Sequence, residues 1–182
     1  MGNKTKSFRT KFKIKGVLIM ELKKQILSIV EKDAKLTNEE IAVMVASDKK
    51  TVEKIMNEFE KEKIIFGSKT LIDWDKMGDD RVTAYIELNV TPEQGMGFEK
   101  IADNIIREFP QVSSVTLMSG GFDILVEIDG NSMKDIALFV AEKISPMTGI
   151  ISTKTHFVLR KYKQDGIILN KKKTDERRVI SL

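Results

Sequence analysis

The segment LTNEEIAVMVASDKKTVEKIMNEFEKEKIIFG, Leu36–Gly67, decides the fold of the first part of this chain. Thr37 is followed three residues later by Glu40, which is the capping-box pattern found at the start of a helix. After a short polar turn, Asp48 predicts the cap of the next helix. This next helix, the third of the predicted domain, carries apolar residues at i, i+3, i+4 and i+7, the spacing of one buried face: Val52, Ile55, Met56 and Phe59.

The flanking sequence completes a predicted domain over residues 20–69. Glu21–Lys32 carries apolar residues at helical spacing and predicts a preceding helix. Ile64–Ile72 has strand character and predicts a β-hairpin wing. Three short helices with a tight second turn and a wing make a winged helix-turn-helix, in which the third helix enters the major groove of DNA.

The outward face of the third helix supplies the predicted DNA contacts. Lysine ammonium groups bind phosphates, and an asparagine amide can pair with adenine in the major groove. The alternative is a helix face that meets only solvent, since Glu53 and Glu58 on the same helix would repel phosphate. The DNA-binding interpretation assigns contacts to five residues: Lys49, Lys50, Thr51, Lys54 and Asn57.

Residues 82–163 predict a small α+β domain that follows a polar linker at residues 70–81. The predicted order is the ferredoxin-like βαββαβ arrangement. Its sheet has helices on one face only, so we expect the other face to assemble against a second copy of the chain. The predicted strands and helices are Val82–Val90, Phe98–Phe109, Val112–Met118, Phe122–Ile128, Met133–Ile144 and Ile150–Leu159.

Composition is that of a globular protein. Hydrophobic residues make up 41% and charged residues 32% of the 182 residues, and there is no cysteine for disulfides or thiolate metal sites. No apolar run approaches the roughly 20 residues that span a bilayer. The absence of cysteine fits a cytoplasmic protein. No catalytic or metal-ligating pattern stands out, so we expect no enzyme, no metal and no cofactor. The net charge of +4 is weak support for DNA binding, because residues 20–69 hold ten bases and ten acids.

The two ends of the chain carry the positive excess. Residues 1–19 hold six bases, no acid and no regular periodicity, so they form a disordered tail, a basic arm along DNA, or a non-native extension. We favour the last, with Met20 as the start, because Lys15-Gly16-Val17 can be encoded by a sequence containing AAAGGAG, a bacterial ribosome-binding sequence. Residues 164–182 predict a tail that is disordered or pairs through Val179-Ile180 with a neighbouring chain.

The predicted head resembles that of the leucine-responsive and asparagine-linked (Lrp/AsnC) regulators. The family patterns "L-T-x-x-E-I-A" and "T-V" are matched by Leu36–Ala42 and Thr51-Val52. The patterns of its first helix and of the end of its third are matched by Lys24–Leu27 and Phe59–Gly67. The body resembles the family's regulatory (RAM) domain, whose "G-x-x-D" hairpin is matched by Gly120–Asp123.

The resemblance covers about residues 20–163 and has local departures. The family's turn glycine is Ala46 here, and its glycine before the wing is Lys63. These departures concern DNA affinity and target sequence rather than the fold. The arginines usual in the recognition helix are replaced by Glu53, Lys54 and Ile55, then by Asn57 and Glu58.

The resemblance implies a transcription regulator that binds double-stranded DNA as a dimer or an assembly of dimers, such as an octamer. It also implies an effector, an amino acid or similar small metabolite. The backbone N–H groups left accessible by two glycines can bind the carboxylate of an amino acid, and the acid of the loop can bind its amino group. A tight turn that needs positive φ is an alternative explanation of the glycines. The implied effector residues are those of the hairpin loop: Met118, Ser119, Gly120, Gly121 and Asp123.

A second function from a different class stays open. The chain would then be a metabolite-binding oligomer whose helix-turn-helix has lost DNA affinity and acts as an interaction module. The neutral charge of the head and its missing arginines favour this alternative. Binding to DNA from upstream of the chain's own gene distinguishes the two.

Overall fold

The computed structural model describes residues 3–91 and 97–169, with side chains from residue 16 onward except that of Asp75. The chain forms two compact units that divide between Leu71 and Ile72. We call the first the head and the second the body.

The head consists of three helices around an apolar core. They are α1 (Asn3–Lys32), α2 (Asn38–Met44) and α3 (Lys49–Lys61). The apolar stripe of α3 faces inward as its spacing predicts, and residues from α1 and α2 pack against it. The buried residues of this core are Ile26, Ile41, Ala42, Val52, Ile55 and Phe59.

Both predicted helix caps are formed. The Glu40 backbone N–H donates to Thr37 Oγ1 at 3.3 Å, and the Thr37 N–H donates to Glu40 Oε2 at 2.8 Å. Asp48 Oδ1 accepts from the Thr51 N–H at 2.9 Å. Hydrogen bonds from Thr37 lower the pKa of Glu40, and those from Thr51 lower the pKa of Asp48. Because these pKa values are depressed on folding, the caps stabilise the head near neutral pH and lose that contribution as pH falls through them.

Both α2 and α3 end in Schellman motifs that lack glycine. Ser47 N–H donates to the Ala42 carbonyl at 2.9 Å, and Ile64 N–H donates to the Phe59 carbonyl at 2.8 Å. This motif places one residue in the left-handed region, usually glycine. Here Ala46 has φ 50° and Lys63 has φ 57°. The two positions where the sequence departs from the family's glycines therefore still adopt the left-handed conformation.

The predicted strand at Ile64–Ile72 is wrong. Among the described residues this segment forms neither a strand nor a bridge, and Phe66 is 89% exposed. A lone extended segment has no partner for its backbone N–H and C=O groups, and an isolated two-stranded hairpin is at best marginally stable. The head is a helix-turn-helix without a paired wing in this structure.

The first helix begins earlier than the sequence predicts. α1 starts at Asn3 rather than near Glu21. Residues 3–32 contain no proline and only one glycine, so the helix formed by the packed segment extends backwards at little cost per residue. In the part of this extension whose side chains are described, the apolar residues Val17, Leu18, Ile19 and Met20 are all exposed.

The body has the predicted ferredoxin-like arrangement. Its helices pack on one face of a four-stranded antiparallel sheet with strand order β2-β3-β1-β4. α5 continues into a π-helical turn at Val140–Ile144. The elements are β1 (Val82–Val90), α4 (Phe98–Glu108), β2 (Val112–Leu117), β3 (Ile124–Gly130), α5 (Met133–Phe139) and β4 (Ile150–Phe157).

The sheet separates an apolar face from a polar one. Alternate residues of the central strand, Ala84, Ile86, Leu88 and Val90, are buried in the core. The open face carries Glu87, whose carboxylate contacts Lys154 Nζ at 3.3 Å and His156 Nε2 at 3.0 Å. Glu127 on the same face contacts Lys161 Nζ at 3.1 Å. This open face is therefore not the apolar surface that would require cover by itself.

A short hairpin follows the sheet where the sequence predicted only a tail. β5 (Lys163–Gln164) pairs with β6 (Ile167–Ile168) across Asp165-Gly166. Asp165 has φ 46° and Gly166 has φ 80°, which is the type I′ pattern that an Asp-Gly pair favours. The predicted pairing of Val179-Ile180 lies outside the described residues.

The left-handed cap of α3 yields a stability prediction. The left-handed conformation destabilises the folded state by about 1–2 kcal/mol for a residue with a Cβ. Glycine avoids this strain, but it lowers the free energy of unfolding by about 0.4–1 kcal/mol because it makes the unfolded chain more flexible. We expect Lys63→Gly to raise the free energy of unfolding by about 0.5–1 kcal/mol in urea denaturation. The control is Glu60→Gly within α3, which should lower it by about 1 kcal/mol. A loss of stability in both variants would contradict the left-handed assignment of Lys63.

Candidate nucleic-acid interface and sensor loop

Three of the five predicted DNA-contact residues form an exposed stripe on α3. Lys50, Lys54 and Asn57 lie at i, i+4 and i+7, opposite the buried stripe, and all three are exposed. Among the described residues, none of the three makes a side-chain hydrogen bond or an ion pair. Their charges and amide group are therefore available to a partner outside the head.

The other two predicted residues are engaged within the head. Lys49 forms an ion pair with Glu39 of α2, which raises the pKa of Lys49 and lowers the pKa of Glu39. The Thr51 hydroxyl donates to Asp48 Oδ2 at 2.6 Å as part of the helix cap. These contacts orient the start of α3 and reduce what Lys49 and Thr51 can offer to DNA.

Two further residues change the electrostatics of α3. Lys61 is exposed and extends the stripe of Lys50 by another turn, at i+11. The same spacing that identifies Lys54 and Asn57 could have identified Lys61 from the sequence. Glu58 forms an ion pair with Lys23 of α1, so one of the two acids expected to repel phosphate is neutralised inside the head. Sequence spacing within one helix gives no signal for that contact between helices.

The loop between β2 and β3 is closed at its base and open at its tip. The Met118 N–H donates to the Asp123 carbonyl at 2.8 Å, and Ser119, Gly120 and Gly121 are exposed. Gly120 has φ 155°, which strains residues with a Cβ, whereas Gly121 is not among the residues with positive φ. The alternative explanation, a turn that needs positive φ, therefore accounts for Gly120 and does not account for Gly121.

Asp123 ties this loop to the central strand. Its Oδ2 accepts from the Val90 N–H at 2.9 Å, and its own N–H donates to the Leu88 carbonyl at 3.0 Å. The acid beside the turn thus has a structural role that sequence reasoning missed, because residues 90 and 123 are far apart in the chain. Its Oδ1 makes no hydrogen bond within the described part of the chain.

An open depression lies beside the end of β2. It has a volume of about 480 Å³ and is lined by Leu117 together with Gly97, Phe98, Glu99 and Lys100 at the start of α4. Leu117 directly precedes Met118, the first residue of the loop. The loop and this depression therefore share one end of the sheet.

Membrane-spanning helices are not found in the part of the chain that the structure describes, since each helix there is too short or too polar to cross a bilayer.

Models of two known domains match the chain. The model described as a winged helix-turn-helix DNA-binding domain matches residues 21–65. The model described as an Lrp/AsnC ligand binding domain matches residues 83–168. The first match falls within the head and the second within the body, so each unit has its own recognised counterpart.

Whole-chain relatives agree with these matches. The HTH-type transcriptional regulator YugG of Bacillus subtilis is 42% identical over 164 residues, covering 90% of this chain and 98% of the relative. A proline dehydrogenase transcriptional activator of Rhizobium radiobacter is 21% identical, covering 79% of this chain and 90% of the relative.

Solved structures share the fold. A Neisseria meningitidis transcriptional regulator in complex with L-Met has a TM-score of 0.64 at 20% identity, covering 79% of this chain and 91% of that one. E. coli AsnC has a TM-score of 0.60 at 18% identity, covering 79% of this chain and 94% of that one. With its head and body both matched and a 42% identical regulator aligned along most of its length, this chain belongs to the Lrp/AsnC family of transcription regulators.

Proposed function

We propose that this regulator binds double-stranded DNA by placing α3 in the major groove. The observation that carries the proposal is the stripe of Lys50, Lys54, Asn57 and Lys61, exposed on the side of α3 opposite its buried face. A helix held by one apolar face presents its opposite face to a partner. In a helix-turn-helix that partner is the edge of the bases and the flanking phosphates.

Each residue of the stripe has a distinct role in this proposal. Lys50, Lys54 and Lys61 bind phosphates, which supplies affinity without reading sequence. Asn57 offers an amide that can donate and accept toward adenine. Lys49 and Thr51 instead hold the start of α3 in place through their contacts with Glu39 and Asp48, and they are not primary DNA contacts in this proposal.

The alternative is a metabolite-binding oligomer whose head has lost DNA affinity. The neutral charge of the head suggested this alternative, and pairing of Glu58 with Lys23 and of Glu39 with Lys49 leaves that net charge unchanged. What opposes the alternative is that Lys50, Lys54 and Lys61 all lie exposed on the outward side of α3, without an ion pair among the described residues. The match to a DNA-binding domain model also favours the regulator. A mobility-shift assay with DNA from upstream of the chain's own gene separates the two functions.

The effector is proposed to be an amino acid or a similar small metabolite bound at the loop of Met118–Asp123. Support comes from the ligand-binding domain model and from the related fold crystallised with L-Met. The exposed amides at Ser119–Gly121 suit a carboxylate, and Asp123 Oδ1 suits an ammonium group. In this proposal the chain is a cytoplasmic homo-oligomer, a dimer or an assembly of dimers, without enzymatic activity.

Replacing the phosphate-binding lysines should weaken DNA binding uniformly. We expect Lys50→Ala and Lys54→Ala each to reduce affinity on specific and nonspecific duplexes alike, and to lower the salt slope by about one unit. Lys24→Ala, which removes an exposed charge from α1, is the matched control and should leave the slope nearly unchanged. A loss confined to one base position, or no loss, would contradict phosphate binding by these lysines.

Two loop variants test the effector site without breaking the loop. Asp123→Asn keeps an acceptor for the Val90 N–H but removes the charge, so effector affinity should fall roughly tenfold. A Cβ at residue 121 would meet no atom within 4 Å, so Gly121→Ala should fold normally and still weaken binding if the ligand approaches the loop backbone.

The measurement for these variants is calorimetric titration against a panel of amino acids. Asp123→Ala is the control that loses both the charge and the bond to β1. Equal binding by wild type and both test variants would show that Asp123 does not bind the effector and only holds the loop to β1. Failure of every amino acid to bind the wild type would overturn the amino-acid effector.

A further inference from the structure

The structure separates two acids on α3 that look alike in the sequence. Glu58 is half-buried and forms an ion pair with Lys23 of α1. Glu53 is exposed and has no ion pair within 4 Å among the described residues. The pKa of Lys49 is raised mainly by its hydrogen bond to Glu39 and only last by the charge of Glu53. Glu53 therefore has no direct ion-pair partner among the described residues and interacts with Lys49 only through the charge at longer range.

Glu53 also belongs to the surface that meets DNA in the proposed function. It lies three residues after Lys50 and four before Asn57, which places it next to both along the exposed side of α3. Glu58 lies on the opposite flank, against α1. Of these two acids, Glu53 alone is directed toward the groove when α3 docks.

We propose that Glu53 is a specificity-determining residue that selects cytosine in the major groove, an inference that rests on the proposed DNA binding by α3. A carboxylate can only accept hydrogen bonds. On the major-groove edge, guanine offers two acceptors and thymine offers an acceptor and a methyl group, so both are disfavoured. Cytosine offers its N4 amino group, whereas the amino group of adenine sits beside the N7 acceptor, which repels the carboxylate.

The charge of Glu53 has two effects on binding: it lowers affinity for every duplex, and it favours a duplex with cytosine. It repels the phosphates of every duplex and so lowers affinity for DNA in general. Only cytosine at the position facing Glu53 donates a hydrogen bond to the carboxylate, and this bond offsets part of the repulsion. The acid therefore acts mainly by excluding other sequences, which is how a repulsive group raises specificity.

The experiment is a binding selection from randomised duplexes with the full-length wild type, followed by affinity measurements on single-base variants of the selected site. Wild type should prefer cytosine at one position by about 5- to 10-fold. Glu53→Ala should abolish that preference and raise affinity for the other bases. Glu53→Gln should move the preference toward adenine, because an amide can pair with N6 and N7 together.

Glu60→Gln is the matched control, since it removes the same charge from an exposed position on α3 two turns later. It should change affinity uniformly and leave every base preference intact. If Glu53 and Glu60 variants behave identically, or if the position that responds to Glu53 prefers a base other than cytosine, the inference is overturned while DNA binding stands. If wild type selects no sequence and binds no duplex, the proposed function itself fails.

Discussion

Burial of one face of α3 is the constraint on which the head depends. Val52, Ile55 and Phe59 are almost completely buried against Ile26 of α1 and Ile41 of α2. Fixing these side chains fixes the rotation of the helix about its axis. The residues on the far side then project outward together, and the rotation of α3 decides which charges a partner can meet. Packing and recognition are therefore two consequences of the same helical periodicity.

The sequence predicts features that depend on local spacing. The Thr37 and Asp48 caps, the buried stripe of α3 and the alternation of β1 are confirmed, because each is set by residues within two turns or one strand. The order of elements in the body is confirmed for the same reason. Ferredoxin-like topology follows once those elements are placed in order.

The sequence fails where the deciding partner is distant. The ion pair of Lys23 with Glu58 and the bond from Val90 to Asp123 each join residues more than thirty positions apart. The strand expected at Ile64–Ile72 has local strand character but no partner to pair with. Likewise, the sequence indicates that Asp123 is unusual beside a glycine turn, but only the structure supplies the strand end that it holds.

A sheet with a polar open face allows a newly made chain to finish folding before it meets another copy. Glu87 and Glu127 are already paired with Lys154 and Lys161 on that face, so these carboxylates have partners within a single chain. A chain with an apolar open face would have to find its partner while exposing an aggregation-prone surface. The open face of this body therefore does not by itself require a second copy of the chain during folding.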